Sequence, residues 1–309
     1  MMFFVNAKIN IGLQIVGRRP DGYHDLQTVF YPIGKEAGKP ENPVRFCDIL
    51  ELAPLTSEYG ENPDSDDARE GALPRFLFKG REIECPLESN LVYKASSLFC
   101  EATGADFSDE IVILEKYLPD GAGLGGGSAD AAFTLLALAE KYNATHPGKE
   151  ITRRALSEMA LKLGADCPFF ILNQPAYAEG VGEELKEIGL NLSGYWLVLI
   201  KPDIYVSTRE AFAGVTPRRS DFDLRQLPSL PIEEWREKVK NDFEDSLFPR
   251  YPLLEEIKEK LYKKGALYAS MSGSGSSIYG MFRSKGEAEE TLKAFEDDAT
   301  IEGSYLLKM

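Results

Sequence analysis

Between Pro119 and Asp130 the chain reads PDGAGLGGGSAD, which sets five glycines in the eight positions from Gly121 to Ser128. Glycine accepts backbone angles with φ > 0 and lets an anion reach the main chain with no Cβ in the way. The glycines follow EIVILEKYLP, an apolar run of strand character. They lead into AAFTLLALAEKY, a strong helix of about four turns that starts near Ser128. A helix start aims unpaired N–H groups and the positive end of its dipole at one spot. The chemistry these residues suit is phosphate binding, with Pro119, Gly121, Gly123, Leu124, Gly125, Gly126, Gly127 and Ser128 as the cradle. No lysine follows the glycines as a Walker A loop requires, and the next element is a second helix rather than the strand of a dinucleotide fingerprint. A flexible linker would not be set between a buried strand and a helix with an apolar face.

Transfer of a phosphoryl group asks for positioning, charge stabilisation and a group that receives the hydroxyl proton. Asp166 is placed for the last role. It follows the helix TRRALSEMALKLG, closed by Gly164, and precedes Pro168, on a turn rather than a mobile loop. By context alone such an Asp also serves as a plain turn former. Lys8 is the cation. It lies with Asn10 on the polar face of FFVNAKINIGLQIVG, whose apolar face carries Val5, Ala7, Ile9, Ile11, Leu13 and Ile15. That alternation predicts a long half-buried strand, on which a lysine is ordinarily solvated. MSGSGSS, in isolation, reads as a tight turn between two short strands. Asp130 reads as a first-turn acid that complements the helix N-terminus rather than as a metal ligand.

The remaining elements must hold these groups in place. LQTVFYPI is extended, Gly34 to Pro74 reads as irregular, and ENPDSDDAREG within it is an acidic exposed loop. Residues 90 to 102 have helical spacing with Asn90 as the N-cap. In the second half GYWLVLIKP is a strand and residues 253 to 264 a helix. ALYASMSGSGSSIYGMF reads as two strands, KGEAEETLKAFED as a helix and GSYLLK as a last strand. A Gly/Glu-rich stretch between Ile171 and Gly194 marks the boundary, giving domains 1–175 and 176–309.

The bulk properties narrow the partners. With 309 residues and 43 % hydrophobic content the chain has material for two cored domains. A net charge of −15 argues against nucleic acid and anionic membrane, while a few aligned amides still make a local anion site. Four scattered cysteines and two histidines, with no C-x-x-C, make a zinc site or a disulfide framework a poor reading. No basic and apolar leader and no apolar run of ~18 residues is seen, so a cytoplasmic protein is expected.

PDGAGLGGGSADAA resembles the ATP loop of the galactokinase, homoserine kinase, mevalonate kinase and phosphomevalonate kinase (GHMP) superfamily, and MSGSGSSIYGMF resembles its C-terminal glycine motif. AKINIGLQIVGRRPDGYHDLQTVF, LGADCPFFI with AYAEGVGE, and NDFEDSLFPRYP are similar to the members that act on CDP-methylerythritol. The resemblance implies an α+β fold of two domains, an N-terminal one like ribosomal protein S5 domain 2 and a C-terminal ferredoxin-like one. It implies ATP and Mg2+ as cofactors, and transfer of the γ-phosphoryl group to the acceptor's 2-hydroxyl by a monomer or homodimer. Lys8 and Asp166 then match the catalytic pair, while Asn10, Tyr23, His24, Thr208 and Phe212 match the acceptor site. Tyr23 and Phe212 would sandwich the cytosine, and His24 would hydrogen-bond the base or diphosphate region. Asn90 and Leu91 would touch the adenine end, and Ser274 and Gly275 would close over the site. The rivals are another GHMP kinase, which would not need Tyr23, His24 and Phe212 together, a non-catalytic nucleotide-binding regulator, and a protein-interaction module with no use for the glycine loop.

Overall fold

The alternation of FFVNAKINIGLQIVG is realised as β1 (Met2–Arg18), a single strand of 17 residues. The computed structural model describes residues 1–35, 46–56 and 72–309, so the acidic stretch 61–70 lies outside the described residues. After β1 come β2 (His24–Ile33), β3 (Cys47–Pro54), β4 (Arg75–Gly80) and β5 (Glu110–Lys116). Later strands are β6 (Ala176–Glu179), β7 (Glu184–Glu187), β8 (Trp196–Pro202), β9 (Tyr268–Met271), β10 (Ile278–Phe282) and β11 (Ile301–Lys308). The helices are α1 (Leu91–Thr103), α2 (Gly126–Thr145), α3 (Arg153–Leu163), α4 (Cys167–Leu172) and α5 (Thr208–Ala213). They continue as α6 (Trp235–Lys238), α7 (Glu244–Leu247), α8 (Pro252–Lys263) and α9 (Lys285–Lys293).

The chain forms two compact units: Met1–Asn6, Cys47–Leu118 and Gly126–Leu172 make the first, and Ala7–Phe46, Pro119–Gly125 and Asn173–Met309 the second. The first unit ends at Leu172, and Ala7–Phe46 and the start of the glycine loop cluster with the C-terminal residues.

In the first unit, Met2–Asn6 of β1 pairs antiparallel with β3, β3 antiparallel with β5, and β5 parallel with β4. β3 falls inside the segment read as irregular, and β4 begins directly after it. The signal was present: Asp48, Leu50 and Leu52 share one buried face of β3, although breakers on both sides obscure it. α1 is capped by Asn90, whose Oδ1 accepts from the Val92 amide at 2.8 Å, and it stops at left-handed Gly104. α2 is buried on nearly every side through Ala129, Ala131, Ala132, Leu135, Ala137 and Leu138. A helix apolar all round is a core helix. At 20 residues it is longer than expected, and it starts at Gly126 rather than Ser128. α3 carries its N-cap on Thr152, and Gly164 closes it in an extended rather than a left-handed conformation.

In the second unit β1 pairs antiparallel with β2 through two register shifts, between Ile11 and Leu13 and between Ile15 and Gly17. β2 pairs with β6, and β6 with β7, both antiparallel. A separate four-stranded sheet has the order β11-β8-β10-β9. Its chain order, β8-α8-β9-β10-α9-β11, is the split βαβ arrangement of a ferredoxin-like domain. α8 packs against β9 and β10, and α9 against β8 and β11. Their apolar faces, led by Leu254, Ile257, Leu261 and Ala288, close the core over Val198, Ile200, Ile278 and Phe282.

Candidate active site

The polar face of β1 is buried rather than wet. Lys8 and Asn10 are each 3 % exposed. A buried ammonium must be hydrogen-bonded, and the Lys8 Nζ donates to Asn10 Oδ1 at 2.6 Å and to the Gly123 carbonyl at 3.0 Å. It also stands 5.1 Å from the centre of the Phe30 ring, a cation–π distance. Asn10 is held in turn: its Nδ2 donates to Thr28 Oγ1 at 3.0 Å, and Thr28 donates to the Gly12 carbonyl at 2.5 Å.

Gly123 lies in the glycine loop with φ +71, and a Cβ there would overlap the Ser272 carbonyl oxygen. Its own carbonyl accepts a second donor, the Ser272 hydroxyl, at 2.9 Å. That hydroxyl also accepts from the Asn10 amide at 3.3 Å. The residue of the MSGSGSS loop that reaches β1 and the phosphate loop is therefore Ser272, which the sequence reading passed over in favour of Ser274 and Gly275. Ser274 is half-buried, and the Gly275 amide closes a turn onto the Ser272 carbonyl.

Of the residues matched to the acceptor site by resemblance, His24 stacks on Phe212, with ring centres 4.9 Å apart and planes 18° from parallel, and Phe212 meets Phe243 edge-on. Burial, aided by the charge of Arg18, lowers the His24 pKa, which favours the neutral ring that such a stack accommodates. Tyr23 is 64 % exposed. Thr208 is exposed at the first turn of α5, whose cap is supplied by Ser207. The ring facing Phe212 is thus His24, where Tyr23 was expected across an intervening base.

In the first unit the head of α2 is built over a buried ion cluster that the sequence reading missed. Lys116 Nζ meets Asp48 Oδ2 at 2.6 Å and Asp130 Oδ2 at 2.7 Å, with all three side chains at most 4 % exposed. Asp48 Oδ1 accepts from the amides of Tyr117 and Leu118 at 2.6 and 2.8 Å, pinning the chain just before the loop. A Cβ on Gly126 would come within 3.5 Å of the Lys116 ammonium, so the first turn of α2 rests on that cation. Burial pushes the Asp130 carboxyl up to about 8, against the pull of Lys116, and its Oδ1 has no partner among the described residues. The two acids hold the Lys116 ammonium above its usual range despite burial. Asp130 is thus not a solvated first-turn acid but part of this cluster.

Leu91 lies against the same helix head, 3.7 Å from where a Gly127 Cβ would be, and the Asn90 side chain is spent on capping α1. Asp166 sits on the turn between α3 and α4, half-buried. Burial pushes the thiol of its neighbour Cys167 up to about 12, against the opposing pull of the Ser128 hydroxyl. The four cysteines carry no disulfide, and no described helix is long and apolar enough to cross a membrane.

Residues 90–174 match the family described as GHMP kinases N terminal domain, and residues 225–299 match GHMP kinases C terminal. A Bacteroides fragilis protein named 4-diphosphocytidyl-2-C-methyl-D-erythritol kinase is 46 % identical over 91 % of this chain and 92 % of its own length. One of the same name from Bacteroides thetaiotaomicron is 44 % identical over 94 % of this chain and 95 % of its own. A crystal structure of 4-(cytidine 5'-diphospho)-2C-methyl-D-erythritol kinase superposes with a TM-score of 0.75 at 30 % identity, covering 100 % of both chains.

Proposed function

The chain belongs to the GHMP kinase family, and we propose that it transfers the γ-phosphoryl group of ATP to the 2-hydroxyl of 4-diphosphocytidyl-2-C-methyl-D-erythritol, in the non-mevalonate route to isoprenoid precursors. The observation that carries the reading is the buried Lys8 ammonium, held by Asn10 and by the carbonyl of Gly123 in the glycine loop.

In the proposed reaction the loop amides and the N-terminus of α2 hold the nucleotide phosphates. Asp166 receives the proton of the acceptor hydroxyl as that oxygen bonds to the γ-phosphorus. The bond from phosphorus to the β–γ bridging oxygen breaks and ADP leaves. Lys8, fixed by Asn10 and Gly123, stabilises the charge that builds on the transferring group. Magnesium bound with ATP supplies charge neutralisation between the β- and γ-phosphates. Among the described residues no group of three His, Cys, Asp or Glu side chains could cage a metal. Such an ion would be held by phosphate oxygens and water, with the Ser128 hydroxyl as the protein oxygen at the loop. Tyr23, His24 and Phe212 recognise the cytosine. The cytoplasm is the proposed compartment, a setting that suits four cysteines without a disulfide.

The test is ADP release from Mg-ATP with the cytidylated acceptor, mevalonate, homoserine and galactose in parallel. Turnover with the cytidylated acceptor alone is expected, and turnover with another acceptor instead would keep the family but discard the cytidine site. Lys8→Met and Asp166→Asn should each lower kcat by ~10²–10⁴-fold. Near wild-type turnover in both would remove them as the catalytic pair.

A further inference from the structure

The segment NDFE, Asn241–Glu244, has no part in the reaction as described, yet its polar side chains are buried and engaged with backbone of the same unit. The Asp242 amide donates to the Leu13 carbonyl at 2.8 Å and the Leu13 amide to the Lys240 carbonyl at 2.9 Å, just beyond the register shift in β1. Asp242 Oδ2 accepts from the Ile15 amide at 2.8 Å. Glu244 Oε1 accepts from the Met271 amide at 2.8 Å. The segment is thereby tied to β1 on one side and to β9 on the other.

Asn241 occupies the junction and is 2 % exposed. Its Nδ2 donates to the carbonyls of Met271 and Gly273, each at 2.9 Å, and its Oδ1 accepts from the Phe243 amide at 3.0 Å. One side-chain amide thus holds the carbonyls on both sides of Ser272. Ser272 in turn bonds the Asn10 amide and the Gly123 carbonyl, and Gly123 and Asn10 are the acceptors of the Lys8 ammonium. The path from Asn241 to Lys8 thus runs through hydrogen bonds joined by the backbone of residues 271–273.

We propose that Asn241 is a positioning residue for phosphoryl transfer, which fixes Ser272 and, through the Gly123 carbonyl, the direction of the Lys8 ammonium; this rests on Lys8 being the catalytic lysine. The chemistry demands this residue type. A carboxamide offers two N–H donors and an acceptor, whereas the isosteric carboxylate of Asn241→Asp turns oxygens toward two carbonyl oxygens and donates to neither. With the donors gone, two buried carbonyls each lose a hydrogen bond, the Met271 carbonyl keeping a 3.4 Å contact from the Ser270 hydroxyl, and the loop must move to satisfy them.

The experiment measures kcat and both KM values for wild type, Asn241→Asp, Lys8→Met and the double variant, with ATP and the cytidylated acceptor. Asn241→Asp should lower kcat by ~10–100-fold while KM for the acceptor stays within about twofold, because misorientation of Lys8 is felt in the transition state. In the Lys8→Met background the same substitution should cost less than about threefold, since residues acting through one group are not additive. Ser272→Ala, which removes one hydroxyl, carries the same comparison if Asn241→Asp does not fold. Equal losses in the two backgrounds, with Lys8→Met itself slow, would overturn the positioning role and leave the function intact. Wild-type turnover by Lys8→Met would overturn the catalytic lysine and the proposal together.

Discussion

Gly123→Ala is the sharpest perturbation of the site, and Gly148→Ala is its control. Both glycines have positive φ, +71 and +84. A side chain in that region costs roughly 1–2 kcal/mol wherever it occurs. At Gly148 the new methyl meets nothing within 4 Å, so strain is the whole effect. At Gly123 the methyl would overlap the Ser272 carbonyl oxygen and lie 2.9 Å from its carbon and 3.1 Å from the Gly275 oxygen. These are backbone atoms, held by Asn241 and by the β9–β10 ladder, and they cannot swing aside as a side chain would. Relief requires the loop to shift by about 1 Å, and a displacement of that size near reacting groups costs about 10²-fold in rate. The Gly123 carbonyl carries the Lys8 hydrogen bond, so the shift falls on kcat. Stability by thermal unfolding and kcat by ADP release should therefore separate the pair. Each should lose a few degrees, at about 2–4 °C per kcal/mol for a domain of 150–250 residues. Only Gly123→Ala should lose turnover, by about two orders of magnitude. A Gly123→Ala enzyme within about threefold of wild-type kcat would refute the reasoning, because the loop would then not hold the lysine.

Lys116→Met leaves two buried carboxyl groups around an empty cation position, and should cost about 3–5 kcal/mol by urea unfolding. A loss below about 1 kcal/mol would show that the cluster is not held together by its charge. Asp130 has a carboxyl raised to about 8, so the folded state keeps a proton that the unfolded chain releases near pH 4. Its contribution to stability is full below that pH and is lost as pH rises toward 8. Asp130→Asn, a permanent neutral mimic, should gain on wild type across that window in pH-dependent thermal unfolding, and parallel curves would contradict this. Phe212→Ala should raise KM for the cytidylated acceptor about tenfold and leave KM for ATP unchanged, and equal rises in both would move Phe212 out of the acceptor site.

Where periodicity and end signals agree, the sequence reports the structure well. Asn90 before α1 and the alternation of β1 need only local physics, and both appear as read. β3 was lost because its pattern is flanked by breaker-rich chain, and with it went Asp48. That residue was nonetheless detectable, since it shares a strand face with Leu50 and Leu52, while Lys116 shares one with Val112 and Leu114. Two opposite charges on apolar faces call for one another. Ser272 left no such trace. Five other serines and glycines in MSGSGSS are equally plausible in sequence, and its selection follows from the non-local pairing of β9 with β10 and the reach of Asn241. The burial of Lys8 is non-local as well, because a strand's polar face looks the same in sequence whether water or a loop covers it.

The His24–Phe212 stack gives the proposed cytosine site an occupant of its own. A cytosine that uses the face of Phe212 displaces an imidazole, and the binding measured is the difference between two stacks rather than the value of one. An aromatic pair contributes about 0.5–1.5 kcal/mol beyond area burial, so displacement forfeits about two- to tenfold in affinity. A compound that leaves His24 where it is and extends along the pair's outer edge avoids that forfeit. Among ligands of equal contact area, those that spare the stack hold the advantage.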